Sequence, residues 1–176
     1  DDARDGVAEM VQLLQKEGII VEILSGDEQS SVESFAKKIG IDPTICRGNV
    51  DPEGKAQWVK DRGKARRTLM AGDGFNDAGA LAAANIGVAV GSGDQVNLEA
   101  ADVLIPGDDP MAIVRLIQLA KRTKLIVNIN IAISVIVTLL LVLTTLAGFN
   151  TSIAAGIAMH EASAFLVIIN LSLIHI

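Results

Sequence analysis

Apolar positions fall along this chain in two different ways. Up to about residue 110 they come in short runs separated by polar, amphipathic stretches. Gly18-Ile19-Ile20-Val21-Glu22-Ile23-Leu24 is rich in β-branched residues and opens on glycine, which predicts a buried strand ending at Ser25-Gly26-Asp27. Residues 28–39 place Val32, Phe35, Ala36 and Ile39 on one helical face. A second helix is predicted from Pro52 to about Arg62, with proline near its start, where a missing N–H costs nothing. Thr68-Leu69-Met70-Ala71 reads as a strand entering Gly72-Asp73-Gly74, followed by a helix from Asp77 to Ala84 and strands at 86–90 and 103–105. Strand, loop and helix in repeated alternation predict an α/β domain with a mostly parallel sheet. Ligands of such a sheet bind beyond the carboxyl ends of its strands, where Asp27 and Asp73 both fall.

From Pro110 the pattern changes. Residues 111–124 read as a helix carrying Arg115, Lys121, Arg122 and Lys124. Leu125 to Ala147 then runs without a charge, about 35 Å as a helix and long enough to cross a bilayer. Gly148-Phe149-Asn150-Thr151 reads as a turn, and residues 152–174 as a second span interrupted by His160 and Glu161. The division expected is thus a domain over 1–110, a basic connecting helix over 111–124, and transmembrane helices over 125–147 and 152–174. The basic cluster before Leu125 puts that end, and residues 1–124 with it, in the cytoplasm, making the spans a hairpin in the lipid bilayer. The alternative for such a pair is two buried core helices.

Charge sharpens the division. All 15 Lys and Arg and 20 of the 21 Asp and Glu precede residue 125; Glu161 is the exception. A mean hydropathy of +0.43 is therefore an average over a soluble acidic part and a membrane-like part. A pI near 4.8 with no basic stripe argues against nucleic acid as the partner. A single cysteine, Cys46, excludes a disulfide framework and a cysteine-rich zinc module within the chain.

The strongest chemical signal is Gly72-Asp73-Gly74-Phe75-Asn76-Asp77-Ala78. Two carboxylates four positions apart, past a strand and opening a helix, can converge on one hard cation, and Mg²⁺ favours a couple of carboxylates with waters and phosphate oxygens. The glycines permit a sharp turn and close approach of a phosphate. Read as ordinary structure, the run is a Gly-Asp turn with Asp77 capping a helix. Leu24-Ser25-Gly26-Asp27 offers a hydroxyl and backbone donors at another strand end, and Asp51-Pro52-Glu53-Gly54-Lys55 offers a lysine at a helix start. Singly, each reads more readily as structure, a strand-end turn and a solvated surface lysine.

In this order the three resemble the phosphate-binding Ser or Thr, the lysine and the acidic Mg²⁺ pair of the haloacid dehalogenase superfamily, with its Rossmann-type fold. The run from Gly72 to Asp77, followed by Ala80-Leu81 and by Gly87-Val88-Ala89-Val90-Gly91-Ser92-Gly93, is similar to the phosphorylation-domain end of P-type ATPases, usually written GDGxNDxPAL. Ser25-Gly26-Asp27 matches their Thr-Gly-Asp, and Glu99-Ala100-Ala101-Asp102 the stretch that follows. Gly79 stands where the family usually has proline, which should loosen the first helical turn. The resemblance implies that Ser25, Gly26 and Asp27 hold a phosphoryl group and that Lys55 neutralises it. It also implies that Gly72, Gly74 and Asn76 shape the cofactor-binding loop, and that Asp73 and Asp77 bind Mg²⁺. Lys55, expected to be exposed, should then matter to turnover rather than to stability. The family's phosphorylated aspartate, in Asp-Lys-Thr-Gly-Thr, is not in the chain, nor are the ATP-binding and actuator domains. The resemblance places these partner domains upstream, makes the chain a fragment, and makes the chain alone inactive.

The second span carries Met159-His160-Glu161-Ala162-Ser163. Ionisable residues inside a span are costly and point to function. His160 and Ser163 are three apart and share a helix face, with Glu161 about 100° round. Imidazole with carboxylate suits a borderline divalent metal such as Zn²⁺ or Co²⁺; the alternative is a hydrated pair near a bilayer face. His-Glu-Ala-Ser, with Asn170 further on, resembles the HEGGT-type last helix of heavy-metal-transporting P-type ATPases, in the subgroup linked to cobalt and related divalent metals. That resemblance makes His160, Glu161 and Ser163 ligands of the transported ion. Asn128 and Asn130 are weaker candidates, expected rather to cap or bridge helices. Residues 171–176 leave the family pattern and are expected to carry no function. The function expected is part of an ATP-driven pump for a divalent heavy metal (cobalt, zinc, cadmium or similar) working through an aspartyl phosphate. The alternatives are a membrane-anchored phosphatase of the same superfamily and an inactive anchor that binds Mg²⁺ and phosphate.

Overall fold

A computed structural model describes residues 3–73, 75–91, 99–148 and 152–172. Gly74 and the stretch 92–98 lie outside the described residues, as do the expected turn at 149–151 and the end of the chain from 173. The chain forms two units, Asp1–Val114 and Arg115–Ile176.

In the first unit, helices α1 (Val7–Lys16) and α2 (Gln29–Ile39) share a core. Val11 from α1 meets Val32, Ala36 and Ile39 from α2, with Ile41 and Cys46 closing the cluster. Helix α1 is an element the sequence reading passed over, although Val7, Val11 and Leu14 recur at helical spacing. Helix α3 (Pro52–Ala65) starts where expected: Pro52 takes the first position and the Asp51 carboxylate accepts from Gly54 N–H at 2.8 Å. Strands β1 (Leu69–Gly72), β2 (Ile86–Val90) and β3 (Val103–Ile105) make a parallel sheet in the order β1-β2-β3. Leu69 pairs with Ile86 and Val88 with Val103. The central strand, β2, has consecutive buried residues, Val88 and Ala89, as a strand covered on both faces must. Short helix α4 (Ala78–Ala83) buries Ala80 and Leu81, and the turn before it, Phe75–Asp77, is a 3₁₀ helix, so Asp77 precedes the α-helix that it was expected to begin. Asp102 fastens the head of β2: its carboxylate accepts from Gly87 N–H at 2.8 Å.

The expected strand at 18–24 does not form a ladder. Residues 19–23 take no regular element, and among the described residues the segment's only strand-type pairing is a single parallel bridge between Leu24 and Arg47. No other strand lies beside the segment among the described residues, and Ile20 is left 53% exposed.

The basic and apolar stretches are one uninterrupted helix, α5 (Met111–Leu146), and α6 spans Ile153–Ser172. Both are long and apolar enough to cross a membrane. Among the described residues their apolar side chains are left uncovered: Leu139, Leu143, Phe165 and Ile168 are all exposed.

Candidate functional site

Two of the three sequence motifs are tied together through one short segment, residues 47–50. Ser25 N–H donates to Arg47 C=O and Arg47 N–H to Ile23 C=O, which anchors the end of the segment 19–24. Asn49 N–H donates to Asp27 C=O at 2.6 Å and Val50 N–H to Ser25 C=O at 3.0 Å. The residue after Val50 is Asp51, the cap of α3, and Lys55 stands in the first turn of that helix. The Ser25–Asp27 loop and the lysine therefore share a backbone frame.

Gly48, Asn49 and Gln29 belong to this frame and were missed from sequence. A Cβ on Gly48 would lie 2.6 Å from Gln29 Cα and 2.7 Å from Asp27 C=O, so only glycine fits. Gln29 Oε1 accepts from Gly48 N–H at 2.6 Å, and Asn49 takes a left-handed backbone, φ 53°. Gly48-Asn49 was the available signal, as such a pair marks a turn. Within the loop, Ser25 Oγ donates to Asp27 Oδ2 at 2.9 Å and accepts from Asp27 N–H at 3.2 Å, while Gly26 and Asp27 are exposed.

Lys55 and Asp77 meet. The Lys55 Nζ–Asp77 Oδ1 distance is 2.8 Å, and the two side chains are only 14% and 13% exposed. Lys55 is thus not the exposed lysine expected: α3 packs along α4 and the 3₁₀ turn, which closes over its ammonium. Gly72 makes the approach possible, since a Cβ there would lie 2.7 Å from Asp77 Oδ2 and 2.8 Å from Asp77 Cβ. Asp73, by contrast, is 66% exposed beyond the end of β1, with Arg4 Nη2 3.8 Å from its Oδ2, a surface pair of little energetic weight. Asn76 is exposed, and Gly74 lies outside the described residues.

On α6, His160 and Glu161 are exposed whereas Ser163 is buried, its hydroxyl donating to His160 C=O at 2.7 Å. His160 and Ser163, three apart on the helix, thus differ in burial among the described residues. Among the described residues no three His, Cys, Asp or Glu side chains form a metal-holding group.

Comparison with known proteins follows the same layout. A family model for haloacid dehalogenase-like hydrolases matches residues 1–85. A copper-exporting P-type ATPase of Staphylococcus aureus (strain JH9) is 40% identical over 124 residues, 70% of this chain. The structure of a zinc-transporting PIB-type ATPase in its E2.Pi state superposes with a TM-score of 0.92 at 31% identity, over 99% of this chain. The chain belongs to the heavy-metal P-type ATPases. It spans 15% of the length of that copper-exporting relative and 28% of that zinc-transporting one. The catalytic domain of a CPx-ATPase matches over 59% of this chain with a TM-score of 0.53 and 33% identity. Heavy-metal P-type ATPases thus match both the parallel-sheet unit and the long apolar helices here.

Proposed function

We propose that this chain supplies the Mg²⁺ and phosphate side of a phosphoryl-transfer site, together with part of the path of a transported divalent heavy metal. The observation that carries the reading is the largely buried Lys55–Asp77 pair, four positions beyond Asp73 at the carboxyl end of a parallel strand. The donor types fit Mg²⁺: a couple of carboxylates with retained waters and phosphate oxygens is what a hard cation takes, with Asp73 open to solvent and Asp77 held by Lys55. Asp73 and Asp77 would hold the ion, which when bound neutralises developing phosphate charge. Lys55 holds Asp77 in place and brings a fixed positive charge to the same spot, so the chain's part is positioning and electrostatics. Ser25, Gly26 and Asp27 offer a hydroxyl and exposed backbone to the phosphoryl oxygens, with Gly72 and Asn76 shaping the loop opposite. The chain contains no Asp-Lys-Thr-Gly-Thr. Hence ATP and the phosphorylated aspartate must come from domains outside these residues, and the chain alone should not hydrolyse ATP.

The spans would sit in a multi-pass membrane protein with residues 1–124 on the cytoplasmic side. His160 and Glu161, exposed on α6, would face the ion from there, and a nitrogen–carboxylate pair suits Co²⁺ or Zn²⁺. Two ligands do not close a tetrahedral site, so further groups must come from neighbouring helices.

A chimera tests both halves. Substituting the chain for the matching segment of a zinc-transporting relative should give ATPase activity stimulated by Co²⁺ or Zn²⁺. Asp73→Asn should abolish Mg²⁺-dependent phosphorylation, while His160→Ala and Glu161→Ala should each lose metal stimulation yet keep phosphorylation from inorganic phosphate. Stimulation by Cu⁺ alone, or normal phosphorylation of the Asp73→Asn protein, would refute the reading.

A further inference from the structure

The two long helices bury very little, and what they bury is periodic. Along α5 the less exposed positions are Ile126, Asn130, Ile133, Val137 and Leu141; along α6 they are Gly156, Ser163, Val167 and Asn170. Steps of three, four and seven residues mark one stripe on each helix. Most of this seam is aliphatic. Near one end of it, Asn170 Nδ2 donates to Asn130 Oδ1 at 2.6 Å, across 40 positions of sequence. Asn130 is 6% exposed, and its own Nδ2 is buried with no hydrogen-bond partner among the described residues.

An aliphatic seam between helices in hydrocarbon has no strong preference for one register, because lipid tails solvate leucine as well as a neighbouring helix does. An amide pair does have one: it is made at a single depth and rotation, and elsewhere both amides stay unsatisfied. Its effect on aim is large. Sliding α6 by one residue moves it only about 1.5 Å but turns the matching face by about 100°, enough to bring Glu161 to the position that His160 held relative to α5.

We propose that Asn130 and Asn170 are positioning residues, an interhelical amide clamp that sets the rotation and depth of α6 and so aims His160 and Glu161. This rests on reading α5 and α6 as spans and the His160–Glu161 pair as part of the ion path. The vacant Asn130 donor makes the clamp sensitive to its partner: with Asn170 gone, the whole amide is left buried and unpaired.

The test uses the 176-residue chain in phospholipid vesicles, with spin labels at Ile131→Cys and Ile168→Cys in a Cys46→Ala background. The unaltered clamp should give one narrow distance population. Asn130→Leu and Asn170→Leu should each move the balance of registers by about threefold to twentyfold, the range measured for interhelical hydrogen bonds in membranes. They should appear as broad or multiple distances, and the double variant should be no broader than either single one. A label at Leu166→Cys should change depth, read from oxygen against aqueous-nickel accessibility, while helix content by circular dichroism stays constant. Unchanged distance and depth in both single variants, or additive broadening in the double one, would overturn the clamp. These readouts need no metal. An intact clamp in a metal-insensitive chimera would therefore count against the ion path, not against the clamp.

Discussion

Removing the Lys55 ammonium should destabilise the first unit, not only impair turnover. At 2.8 Å, and with the effective dielectric near 20 that suits protein sites, the gross attraction is about 6 kcal/mol. Desolvation of both groups offsets much of it, and deleting one partner of a fully buried pair typically costs about 3–5 kcal/mol because the other charge is stranded. With each side chain about one-seventh exposed here, the expected loss is about 2–4 kcal/mol. Lys55→Met keeps most of the stem packing and isolates the charge; Asp77→Asn should cost a similar amount. The double variant should recover about 2 kcal/mol relative to the sum, since it strands no charge. The sole tryptophan reports the transition directly. Trp58 lies one turn along α3, its indole N–H bonded to Glu22 at 3.0 Å and the Arg47 and Arg62 guanidinium groups 5.0 and 4.8 Å from its ring. Urea unfolding followed by its fluorescence, with the chain in lipid nanodiscs, should show the midpoint of Lys55→Met lowered by about 2 M for a slope of about 1.5 kcal/mol per molar. A shift worth under about 0.5 kcal/mol at unchanged slope would show that solvent screens the pair and that the burial argument is wrong.

Three further outcomes follow from single positions. Gly72→Ala should cost about 1–3 kcal/mol by overpacking and displace Asp77, so that Mg²⁺ titration of the chain by calorimetry weakens along with stability; an unchanged Mg²⁺ response would refute it. Gly79→Ala should instead stabilise by about 0.5–1 kcal/mol, because its Cβ would rest 3.6 Å from Ala56 Cβ, an ordinary contact; a lower urea midpoint would contradict this. Burial pushes the Cys46 thiol up from its ordinary value, so it should stay neutral and resist iodoacetamide at pH 8 until urea opens the core. The folded value lies above the unfolded one, so its contribution to stability is whole below the unfolded value and is lost as pH rises through the folded one. Rapid alkylation of the native chain would show that the core around Val11 and Ala36 opens readily.

Apart from α1, the helices and the sheet of the first unit were largely legible because each carries a local signal, β2 as an unbroken apolar run and α3 through its Asp51-Pro52 start; the two long helices were legible through absent charge. The strand at 18–24 was misjudged for a non-local reason. Its β-branched composition states a preference, but a ladder needs a neighbour, and beyond the Leu24–Arg47 bridge none of the described residues provides one. The site divided in the same way. Asp73, Asp77 and Lys55 could be read as chemistry, but the burial of Lys55 depends on α3 lying against the Asp77 turn, which no window of sequence contains. Gly48 was passed over because its role is a close approach to Gln29 and Asp27, visible only once α2 is placed. That Ser163 is buried while His160 is exposed is a matter of which stripe α6 packs, and two adjacent polar residues on a span do not reveal it.

The unladdered segment 19–24 has a consequence for handling the protein. Beyond the Leu24–Arg47 bridge its backbone has no ladder partner among the described residues, and β1, flanked there only by β2, leaves a second open edge with Leu69 exposed. Open edges of this kind are templates for strand addition between molecules. Amides of residues 19–23 should therefore exchange with deuterium far faster than those of β2. Concentrated samples should be prone to edge-to-edge association even when the apolar helices are fully shielded by lipid.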